Sequence, residues 1–398
     1  MSSTNPTPQD IVIVGAGRTP QGKMLGALAK KTAVDLGAAA IATTLERAGV
    51  AKEQVDYVLM GQVVQAAAGQ NPAKQAAVAA GLPMQVPAMT VNKVCLSGLD
   101  AIISGARMIK AGDARIVVAG GQESMTNAPH LAAGVRAGKG FGSLQLQDAL
   151  ERDGLSDSIH GTAMGLETDE NNEKAGIGRQ EQDEVAARSH QLAEKAQQDG
   201  VFDDEMVPVE VKGRKETVTV SEDEGVRPGT TAEGLSKLRP AFRKEGTITA
   251  ASASQISDGA AAVVLTTREN AESNGWSVLA TVGDHGQTAG PDTSLLSQPS
   301  QAMAAALDRA GWDVSDLDFL EINEAFASVA IQSLKDLGYP PEKTNIHGGG
   351  ISLGHPIGCS GARLVVHAAH ELNRRGAGKA GVTLCGGGGQ GDALLLWK

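Results

Sequence analysis

The stretch ERAGVAKEQVDYV at residues 46–58 recurs as DRAGWDVSDLDFL at residues 308–320, a constant offset of 262 positions. In both copies a helical pattern ends at Ala-Gly and leads into a short, apolar, β-rich run. The correspondence continues, because Ser97-Gly98 and Ser360-Gly361 each begin a helical run that leads to an apolar strand and then to glycines. We therefore predict a duplicated, layered α/β unit whose two copies pack as pseudo-twofold partners.

The duplication divides the chain into three parts. We predict an N-terminal α/β domain over residues 1–124, completed by about residues 255–277, and a C-terminal α/β domain over residues 278–398. The intervening residues 125–254 hold an amphipathic helix pattern at 179–198 and loops rich in Gly, Asp and Ser. We interpret this part as an inserted loop domain, the usual place for substrate-binding loops.

Composition excludes several classes of protein. The 398 residues are 41% hydrophobic and 20% charged, enough to form large cores in two or three domains. A formal net charge of −11 disfavours nonspecific nucleic-acid binding. The chain has no basic-then-apolar leader and no apolar run of the ~18–20 residues that a membrane span needs, so we expect no membrane partner and a cytoplasmic location. Three widely spaced cysteines predict free thiols and no metal site.

Three glycine-rich segments invite a nucleotide-binding interpretation, which the sequence does not support. Residues 15–20 lack the third glycine of G-x-G-x-x-G. Residues 386–391 contain that pattern, but only seven residues follow and they look like a strand, so no dinucleotide-binding helix fits. Residues 347–350 have no phosphate-loop Lys-Ser/Thr pair. A nucleotide-dependent dehydrogenase or kinase is therefore disfavoured.

Four polar residues fall at strand ends or helix starts of the duplicated frame. They are Cys95, Asn323, His355 and Cys385. Each alone has a structural explanation, as a packed core cysteine, a helix-capping asparagine or a histidine bonded to backbone. A cysteine at a helix start can also be a nucleophile whose thiolate is favoured by free backbone N–H groups. Together the four favour a site, because ligands meet α/β sheets at the strand ends.

These four positions lie in four separate motifs. The motifs are CLSG from residue 95, NEAF from residue 323, GHPIGCSG from residue 354 and CGGGGQG from residue 385. Through them the chain resembles the thiolase family over essentially its whole length, and within that family it looks most like the bacterial acetyl-CoA acetyltransferases. The resemblance implies the thiolase fold, with two similar α/β domains and a loop domain.

The resemblance also implies a chemistry. The expected reaction is the reversible Claisen condensation of two acetyl-CoA molecules to acetoacetyl-CoA and CoA, with thiolytic cleavage of 3-ketoacyl-CoA as the reverse. Cys95 would be acylated after His355 accepts its proton, and Cys385 would deprotonate the second acetyl-CoA. His355 with a water held by Asn323 would form one oxyanion hole, and the backbone N–H groups of Cys95 and Gly387 the other. CoA thioesters are substrates, and no cofactor or metal is required.

Matching residues for CoA and acyl binding lie mostly in the insertion. They are Arg227 near the adenine end, Leu238 and Phe242 beside the ligand, Ala253 and Ser254 at the pantetheine, and Met164 and Phe326 as further binding residues. For Arg227 a solvated surface charge is the alternative. Ala163 stands where many short-chain members have histidine, which leaves the acyl-chain length open. His347 and Cys359 are also atypical, although neither replaces a residue with an assigned catalytic role.

Alternatives to this reaction stay open. A degradative 3-ketoacyl-CoA thiolase of broader chain length would carry the same motifs. A ketoacyl-synthase-like condensing enzyme typically uses two histidines, and Cys385 stands where the second would be expected. A non-catalytic acyl-CoA-binding relative would tolerate loss of one of the four polar residues, and all four are present. The resemblance further implies a homotetramer, a dimer of dimers, and two adjacent thiols with thiolate character would make the enzyme sensitive to peroxide.

Overall fold

The computed structural model describes residues 6–398. The strands are β1 Ile11–Arg18, β2 Gly22–Lys23, β3 Tyr57–Gly61, β4 Ala88–Val91, β5 Val117–Ser124, β6 His130–Leu131, β7 Gln147–Asp148, β8 Ser156–Asp157, β9 Thr162–Ala163, β10 Val209–Lys212, β11 Thr217–Val220, β12 Ser257–Thr267, β13 Ala280–Ala289, β14 Phe319–Ile322, β15 Lys379–Gly386 and β16 Gln390–Trp397. The α-helices are α1 Ala33–Ala48, α2 Pro72–Ala79, α3 Ser97–Ala111, α4 Met164–Ala175, α5 Arg179–Gln198, α6 Ala232–Ser236, α7 Arg268–Asn274, α8 Gln298–Ala310, α9 Ala327–Leu337, α10 Gly350–Leu353 and α11 Ser360–Arg375. None of these helices is long and apolar enough to cross a membrane.

The repeated stretch has the same structural role in both copies. Gly49 ends α1 with a φ of 67°, and Gly311 ends α8 with a φ of 66°, the left-handed backbone that glycine adopts without a Cβ clash. The aspartates that follow also match. Asp56 accepts the backbone N–H groups of Arg115 and Ile116 before β5, and Asp318 accepts that of Lys379 at β15. The sequence repeat is therefore a repeat of helix stops and strand anchors.

The strand order of the ten-stranded sheet is the same on both sides of its centre. Its main path is β14-β15-β16-β13-β1-β12-β5-β3-β4, and β2 pairs with β12. From the centre outward, β1, β12, β5 and β3 correspond to β13, β16, β15 and β14. Pairing is antiparallel near the centre and parallel for β3 with β5 and for β14 with β15. The central strands β1 and β13 pair at only two positions, so the sheet is two linked halves.

Helices cover both faces of each half, giving five layers. Helices α3 and α11 lie in the middle layer and share the largest core, to which both halves contribute through residues such as Val117 and Val382. Helices α1 and α2 cover the outer face of the first half, where Val118 points. Helices α8 and α9 cover the outer face of the second half. Alternate residues of the central strands are buried on opposite faces, as a doubly covered sheet requires.

Two equivalent glycines bring the starts of α3 and α11 together. A Cβ on Gly98 would lie 2.9 Å from the backbone nitrogen of Ala362, and a Cβ on Gly361 would lie 2.6 Å from that of Leu99. Any side chain at either position would push the two helices apart. This contact lies where the two pseudo-twofold-related halves meet. It places the residues that precede α3 and α11 side by side.

The inserted segment packs on both halves through buried charge. The guanidinium of Arg18 in β1 bonds to Glu205 at 2.6 Å and to both carboxylate oxygens of Asp223 at 2.7 and 2.9 Å. Helix α5 packs on α9 and α10 of the second half. Strand β12 follows the insertion and lies between β1 and β5 in the first half. The domain bounds derived from the sequence stay a prediction.

Candidate active site

Cys95 lies in a strained turn between β4 and α3. The preceding residue, Val94, has a φ of 50°, a conformation that β-branched residues rarely adopt and that costs on the order of 1–3 kcal/mol. The Ser97 hydroxyl holds the turn, because it donates to the carbonyl of Val94 at 2.6 Å and accepts the N–H of Lys93 at 2.8 Å. The turn presents the Cys95 side chain, 5% exposed, toward the second half.

Two backbone N–H groups face the Cys95 sulfur. They are the N–H of Cys95 itself and the N–H of Gly387, and both lower the pKa of the thiol. Burial outweighs them and raises the pKa of Cys95 to about 12. Two convergent donors at one atom form a site for a negatively charged oxygen or sulfur. Cys95 and Gly387 are the residues that the sequence predicted for one oxyanion hole.

Cys385 is the next-to-last residue of β15 and lies against the Cys95 turn. A Cβ on its neighbour Gly386 would lie 2.6 Å from Cγ of Leu96, so the strand end and the helix start are in close contact. Cys385 is 1% exposed. Burial raises the pKa of its thiol above the ordinary value, and the charge of Cys95 raises it further. The two thiols therefore interact across the interface of the halves.

His355 precedes α11, and its imidazole is buried next to Asn323. Its Nδ1 lies 2.5 Å from the Ser360 hydroxyl, and the Asn323 amide nitrogen lies 3.4 Å from both ring nitrogens. Burial, with a contribution from the positive charge of Arg363, lowers the pKa of His355 to about 3. The Oδ1 atom of Asn323 is buried without a hydrogen-bond partner among residues 6–398. Such an atom fits an ordered ligand or water partner.

These pKa directions oppose one expectation from the sequence, which stays a prediction. A cysteine near a helix start was expected to have thiolate character in the free enzyme. Instead, burial raises the pKa of Cys95, Cys385 and Cys359, and lowers that of His355. These directions favour neutral thiols and a neutral imidazole in the free site. This argues against high peroxide sensitivity, because the thiolate is the oxidisable form.

A cavity of 190 Å³ adjoins the turn that carries Cys95, but Cys95 itself does not line it. Its walls include Val94, Met164, Gly387 and Gly388, and the segment of residues 153–159 closes the opposite side. A Cβ on Gly387 would lie 3.2 Å from the Met164 sulfur and 3.3 Å from Val94. Glycine at this position keeps the path to the Cys95 sulfur open. The predicted acyl-binding residue Met164 thus lies at the cavity next to the predicted nucleophile.

Most of the other predicted substrate-binding residues lie close to one another. Phe242 packs edge-on against Phe326, with ring centroids 6.1 Å apart. Phe326 makes a β-bridge to Ala253, and Ser254 donates its N–H to the carbonyl of Ala325 at 3.0 Å. Phe326, Ala253 and Met164 belong to the apolar cluster that contains Cys385. The pantetheine and acyl residues of the prediction therefore form one surface next to the thiols.

Arg227 and Leu238 lie apart from that apolar cluster. Arg227 is exposed, and its backbone N–H donates to Nδ1 of His190 at 3.2 Å. Leu238 is 39% exposed after α6. The direct contacts of the two residues do not include the thiols, His355 or Asn323. Their predicted role in binding CoA stays a prediction.

Two residues of the site were missed by the sequence analysis. The buried carboxylate of Glu123 accepts the N–H groups of Val63, Val64 and Gly358, and so ties β5 to the loop that carries His355. Burial raises the pKa of Glu123 to about 8. Ser360 contacts the His355 ring, as described above. Its place in GHPIGCSG was visible in the sequence, but nothing there shows which way its hydroxyl points.

Cys359 and a cluster at the cavity mouth complete the inventory of reactive groups. Cys359 is 1% exposed within the central core, where it packs as an apolar side chain. Asp157, His160 and Glu167 have possible metal-ligand atoms within 4.8 Å of one another. The His160 ring lies 3.1 Å from Glu167, and the Asp157 carboxylate accepts the backbone N–H of His160 at 2.7 Å. The sequence analysis did not single out this cluster.

Comparison with known proteins gives consistent matches over the whole chain. The family models described as "Thiolase, N-terminal domain" and "Thiolase, C-terminal domain" match residues 11–269 and 276–398. A protein of Mycolicibacterium smegmatis named probable acetyl-CoA acetyltransferase is 54% identical over 97% of this chain and 100% of its own length. The crystal structure of the Bacillus anthracis acetyl-CoA acetyltransferase has a TM-score of 0.95 at 40% identity, covering 99% of this chain and 100% of that one. Human mitochondrial 3-ketoacyl-CoA thiolase has a TM-score of 0.94 at 37% identity, with 98% of both chains covered.

Proposed function

The chain belongs to the thiolase family, and from this premise we propose that it joins two acetyl-CoA molecules to acetoacetyl-CoA and CoA and catalyses the reverse thiolysis. The predicted family, the thiolase fold and the acyltransferase function are confirmed by the matching relatives, which are named acetyl-CoA acetyltransferases. The roles of individual residues are our proposal. The observation that supports them is that two thiols, two convergent N–H groups and a neutral imidazole meet where the halves join.

In the first half of the reaction, Cys95 is acylated. The neutral His355 accepts the thiol proton as the sulfur attacks the thioester carbonyl, and the acetyl group moves to Cys95 with release of CoA. The N–H groups of Cys95 and Gly387 receive the oxygen that becomes negative in the tetrahedral intermediate. Because the resting thiol is protonated, proton removal and attack are coupled, which keeps a reactive thiolate from forming in the absence of substrate.

In the second half, the CoA thiolate released by acylation takes the proton of the Cys385 thiol, and the Cys385 thiolate then acts as the base. It removes a proton from the methyl carbon of the second acetyl-CoA, and the resulting enolate attacks the acyl group on Cys95. The enolate oxygen is stabilised by His355 and by a water that Asn323 holds through its buried Oδ1 atom. Burial raises the pKa of the Cys385 thiol, and a base with a high pKa suits removal of a weakly acidic carbon-bound proton.

Turnover with defined substrates tests this proposal. The purified protein is expected to release CoA from acetyl-CoA and to cleave acetoacetyl-CoA when CoA is added. Both activities are expected to persist after dialysis against a metal chelator, since the proposed steps use only side chains and backbone. A requirement for malonyl-type donors with release of carbon dioxide would instead support a ketoacyl-synthase-like enzyme. Binding of acetyl-CoA without turnover would support a non-catalytic relative.

A degradative thiolase of broader chain length is the second candidate. Its support is the similarity to the human mitochondrial 3-ketoacyl-CoA thiolase across nearly the whole of both chains. The relatives named acetyl-CoA acetyltransferase favour the short-chain enzyme. Rates of thiolysis for a series of 3-ketoacyl-CoA substrates decide between the two. We expect the four-carbon substrate to react fastest, and a rate that increases with chain length would favour the degradative enzyme.

A further inference from the structure

Ser360 makes the only hydrogen bond that the described residues give to Nδ1 of His355 at less than 3 Å. Its hydroxyl oxygen lies 2.5 Å from Nδ1 and 2.9 Å from the carbonyl oxygen of Pro356. Ser360 is fully buried, so bulk water does not compete for these bonds. A hydroxyl has one hydrogen to donate, and either partner could receive it. Which one receives it determines which ring nitrogen of the imidazole carries the proton.

The duplicated serine in the first half resolves this ambiguity. Ser97, at the start of α3, matches Ser360, at the start of α11. The hydroxyl of Ser97 donates to the carbonyl of Val94, the same carbonyl that accepts the Ser97 backbone N–H, at 2.6 and 3.1 Å. Its oxygen accepts the backbone N–H of Lys93 at 2.8 Å. Lys93 N–H can only donate, so the direction of both bonds in the first copy is certain.

Ser360 makes a bond of the same kind, to the carbonyl four residues before it in place of the one three residues before Ser97. The carbonyl of Pro356 receives both the Ser360 backbone N–H, at 3.0 Å, and the Ser360 hydroxyl, at 2.9 Å. With the hydrogen placed there, the Ser360 oxygen has only lone pairs to offer. The Ser97 oxygen accepts a backbone N–H as its second partner, and the second partner of the Ser360 oxygen is Nδ1 of His355. That nitrogen must then carry a hydrogen and donate it.

We infer that Ser360 is a positioning residue that holds His355 as the Nδ1–H tautomer and leaves the lone pair of Nε2 as the base for Cys95. The inference rests on the proposed function for the role of His355. In acylation the Cys95 S–H bond breaks, the proton goes to Nε2, and the sulfur electron pair forms the new bond to the carbonyl carbon. The departing CoA sulfur takes the proton of Cys385, and Nε2 keeps its hydrogen to donate to the enolate oxygen. In the second half that hydrogen returns to the Cys95 sulfur when the acyl C–S bond breaks. Throughout, the Ser360 oxygen accepts Nδ1–H and stabilises the transient imidazolium.

Nuclear magnetic resonance of the unmodified enzyme tests the tautomer directly. Two-bond proton–nitrogen correlations of protein labelled with ¹⁵N-histidine distinguish Nδ1–H from Nε2–H imidazoles, and the His355 signals are those missing in His355→Gln. We expect the Nδ1–H tautomer in the free enzyme. An Nε2–H tautomer would overturn the inference. This measurement needs no substrate, so its outcome is independent of whether the proposed reaction is correct.

Kinetics of Ser360→Ala then test the consequence. We expect the rate of Cys95 acylation by acetyl-CoA to fall about 10- to 100-fold, as for loss of one hydrogen bond to a group that becomes charged, with KM little changed. The His355 signals are expected to shift toward the Nε2–H tautomer. Ser360→Thr keeps the hydroxyl and is expected to restore both. Acylation at the unmodified rate in Ser360→Ala would contradict the inference.

A matched control separates this effect from general loss of a buried hydroxyl. Ser333 is equally buried, and its hydroxyl donates only to the backbone carbonyl of Leu296 at 3.1 Å. Ser333→Ala is expected to leave the tautomer and the acylation rate unchanged. If Ser360→Ala does not fold, the tautomer of the unmodified enzyme and the activity of Ser360→Thr decide the question. If the unmodified enzyme is not acylated at all, the proposed function is wrong. The tautomer of His355 is still decided by the resonance measurement, which needs no substrate.

Discussion

At the scale of single residues, the protonation state of Cys95 gives the most direct test of the site. Burial raises the pKa of this thiol to about 12, so at neutral pH the thiolate is a small fraction. Below that pKa, the thiolate fraction grows tenfold for each unit of pH. We therefore expect the rate of Cys95 alkylation by iodoacetamide to rise steadily between about pH 6 and about pH 10. Mass spectrometry of the Cys95 peptide measures it. A rate that is already constant near neutral pH would reveal a thiolate–imidazolium pair and contradict the neutral resting site.

Removal of each of the two thiols is expected to affect a different step of the reaction. Cys95→Ala should abolish the covalent acyl-enzyme, because the nucleophile is lost. Cys385→Ala should still accept an acetyl group from acetyl-CoA but turn over at least ~100-fold more slowly, as for loss of a positioned acid and base. Intact-protein mass spectrometry after mixing with acetyl-CoA distinguishes the two. Equal acylation of both variants would show that the proposed roles are exchanged or wrong.

Residue types and spacing predicted the reactive groups but not their environment. The motifs at Cys95, His355 and Cys385 placed these residues at helix starts and a strand end, and the structure has them there. The depth of burial that keeps the thiols protonated depends on packing between segments about 260 residues apart, which no local pattern encodes. Glu123 was missed for the same reason, since its three backbone donors come from two distant loops.

At the scale of elements, the contact between α3 and α11 is expected to tolerate no side chain. A methyl group on Gly98 would lie 2.9 Å from both the Ala362 nitrogen and the Gly358 carbonyl oxygen, which are backbone atoms and cannot rotate away. Gly98→Ala should therefore lower the free energy of unfolding by about 1–3 kcal/mol and separate Cys95 from His355, with loss of activity. Gly140→Ala is the matched control, because Gly140 lies outside the helices and strands, its φ is not in the left-handed range, and no atom lies within 4 Å of the added Cβ. Urea unfolding and thiolysis assays measure both effects. Equal stability of the two variants would mean that the helices separate at little cost.

At the scale of the whole molecule, a buried charge network joins the insertion to both halves. His367 in α11 lies 2.9 Å from Glu205, which also binds Arg18. Its other ring nitrogen lies 3.1 Å from His347. Burial lowers the pKa of His367, but the negative charge of Glu205 outweighs burial and the net direction is upward. For His347, burial and the neighbouring His367 lower the pKa to about 4.

The raised pKa of His367 makes stability depend on pH. A histidine whose pKa is higher in the folded state stabilises fully below its unfolded pKa of about 6.5, and this contribution is lost as the pH rises through the folded value. We expect the free energy of unfolding of the unmodified protein to decrease above about pH 6.5. Below that pH, His367→Gln should have a free energy of unfolding about 1–3 kcal/mol lower than the unmodified protein, and above it a weaker dependence on pH. Urea unfolding over a range of pH measures it, with the exposed His130→Gln as control. An unchanged pH dependence in His367→Gln would contradict this assignment.

Assembly is expected to cover two exposed apolar regions. Strand β4 is an edge of the ten-stranded sheet, and Met89 on it and the nearby Met84 are 46% and 67% exposed. Phe141 is fully exposed in the insertion, with Leu144 and Leu146 beside it. An open edge and apolar patches of this kind favour association with further copies. Light scattering after size exclusion should give the mass of a tetramer of the 40.7 kDa chain, and Met89→Lys a smaller species. A stable, active monomer would contradict the predicted homotetramer.

The sequence predicted more of the duplicated α/β core than of the insertion. Two copies of one helix-stop and strand-anchor pattern were enough to predict a duplicated α/β core. Gly49 and Gly311 end their helices through local backbone conformation. Asp56 and Asp318 recur at the same spacing in the repeat, although each binds a backbone N–H about 60 residues further along the chain. The insertion has short strands and few repeated signals. Its attachment depends on Arg18 pairing with Glu205 and Asp223, about 190 and 205 residues further along the chain. Pairing over such distances is set by the assembled fold and leaves no periodic trace.

The position of β12 has a consequence for synthesis of the chain. This strand, Ser257–Thr267, lies between β1 and β5 and is almost entirely buried, so the first half has a gap in its sheet until β12 is made. At the usual pace of about 5–20 residues per second, the ribosome takes roughly 13–50 seconds to reach that point. During this interval the edges of β1 and β5 are open and their apolar faces are uncovered. The nascent polypeptide is therefore a natural client for chaperones that shield unpaired strands, and only after translation passes Thr267 can its first half close.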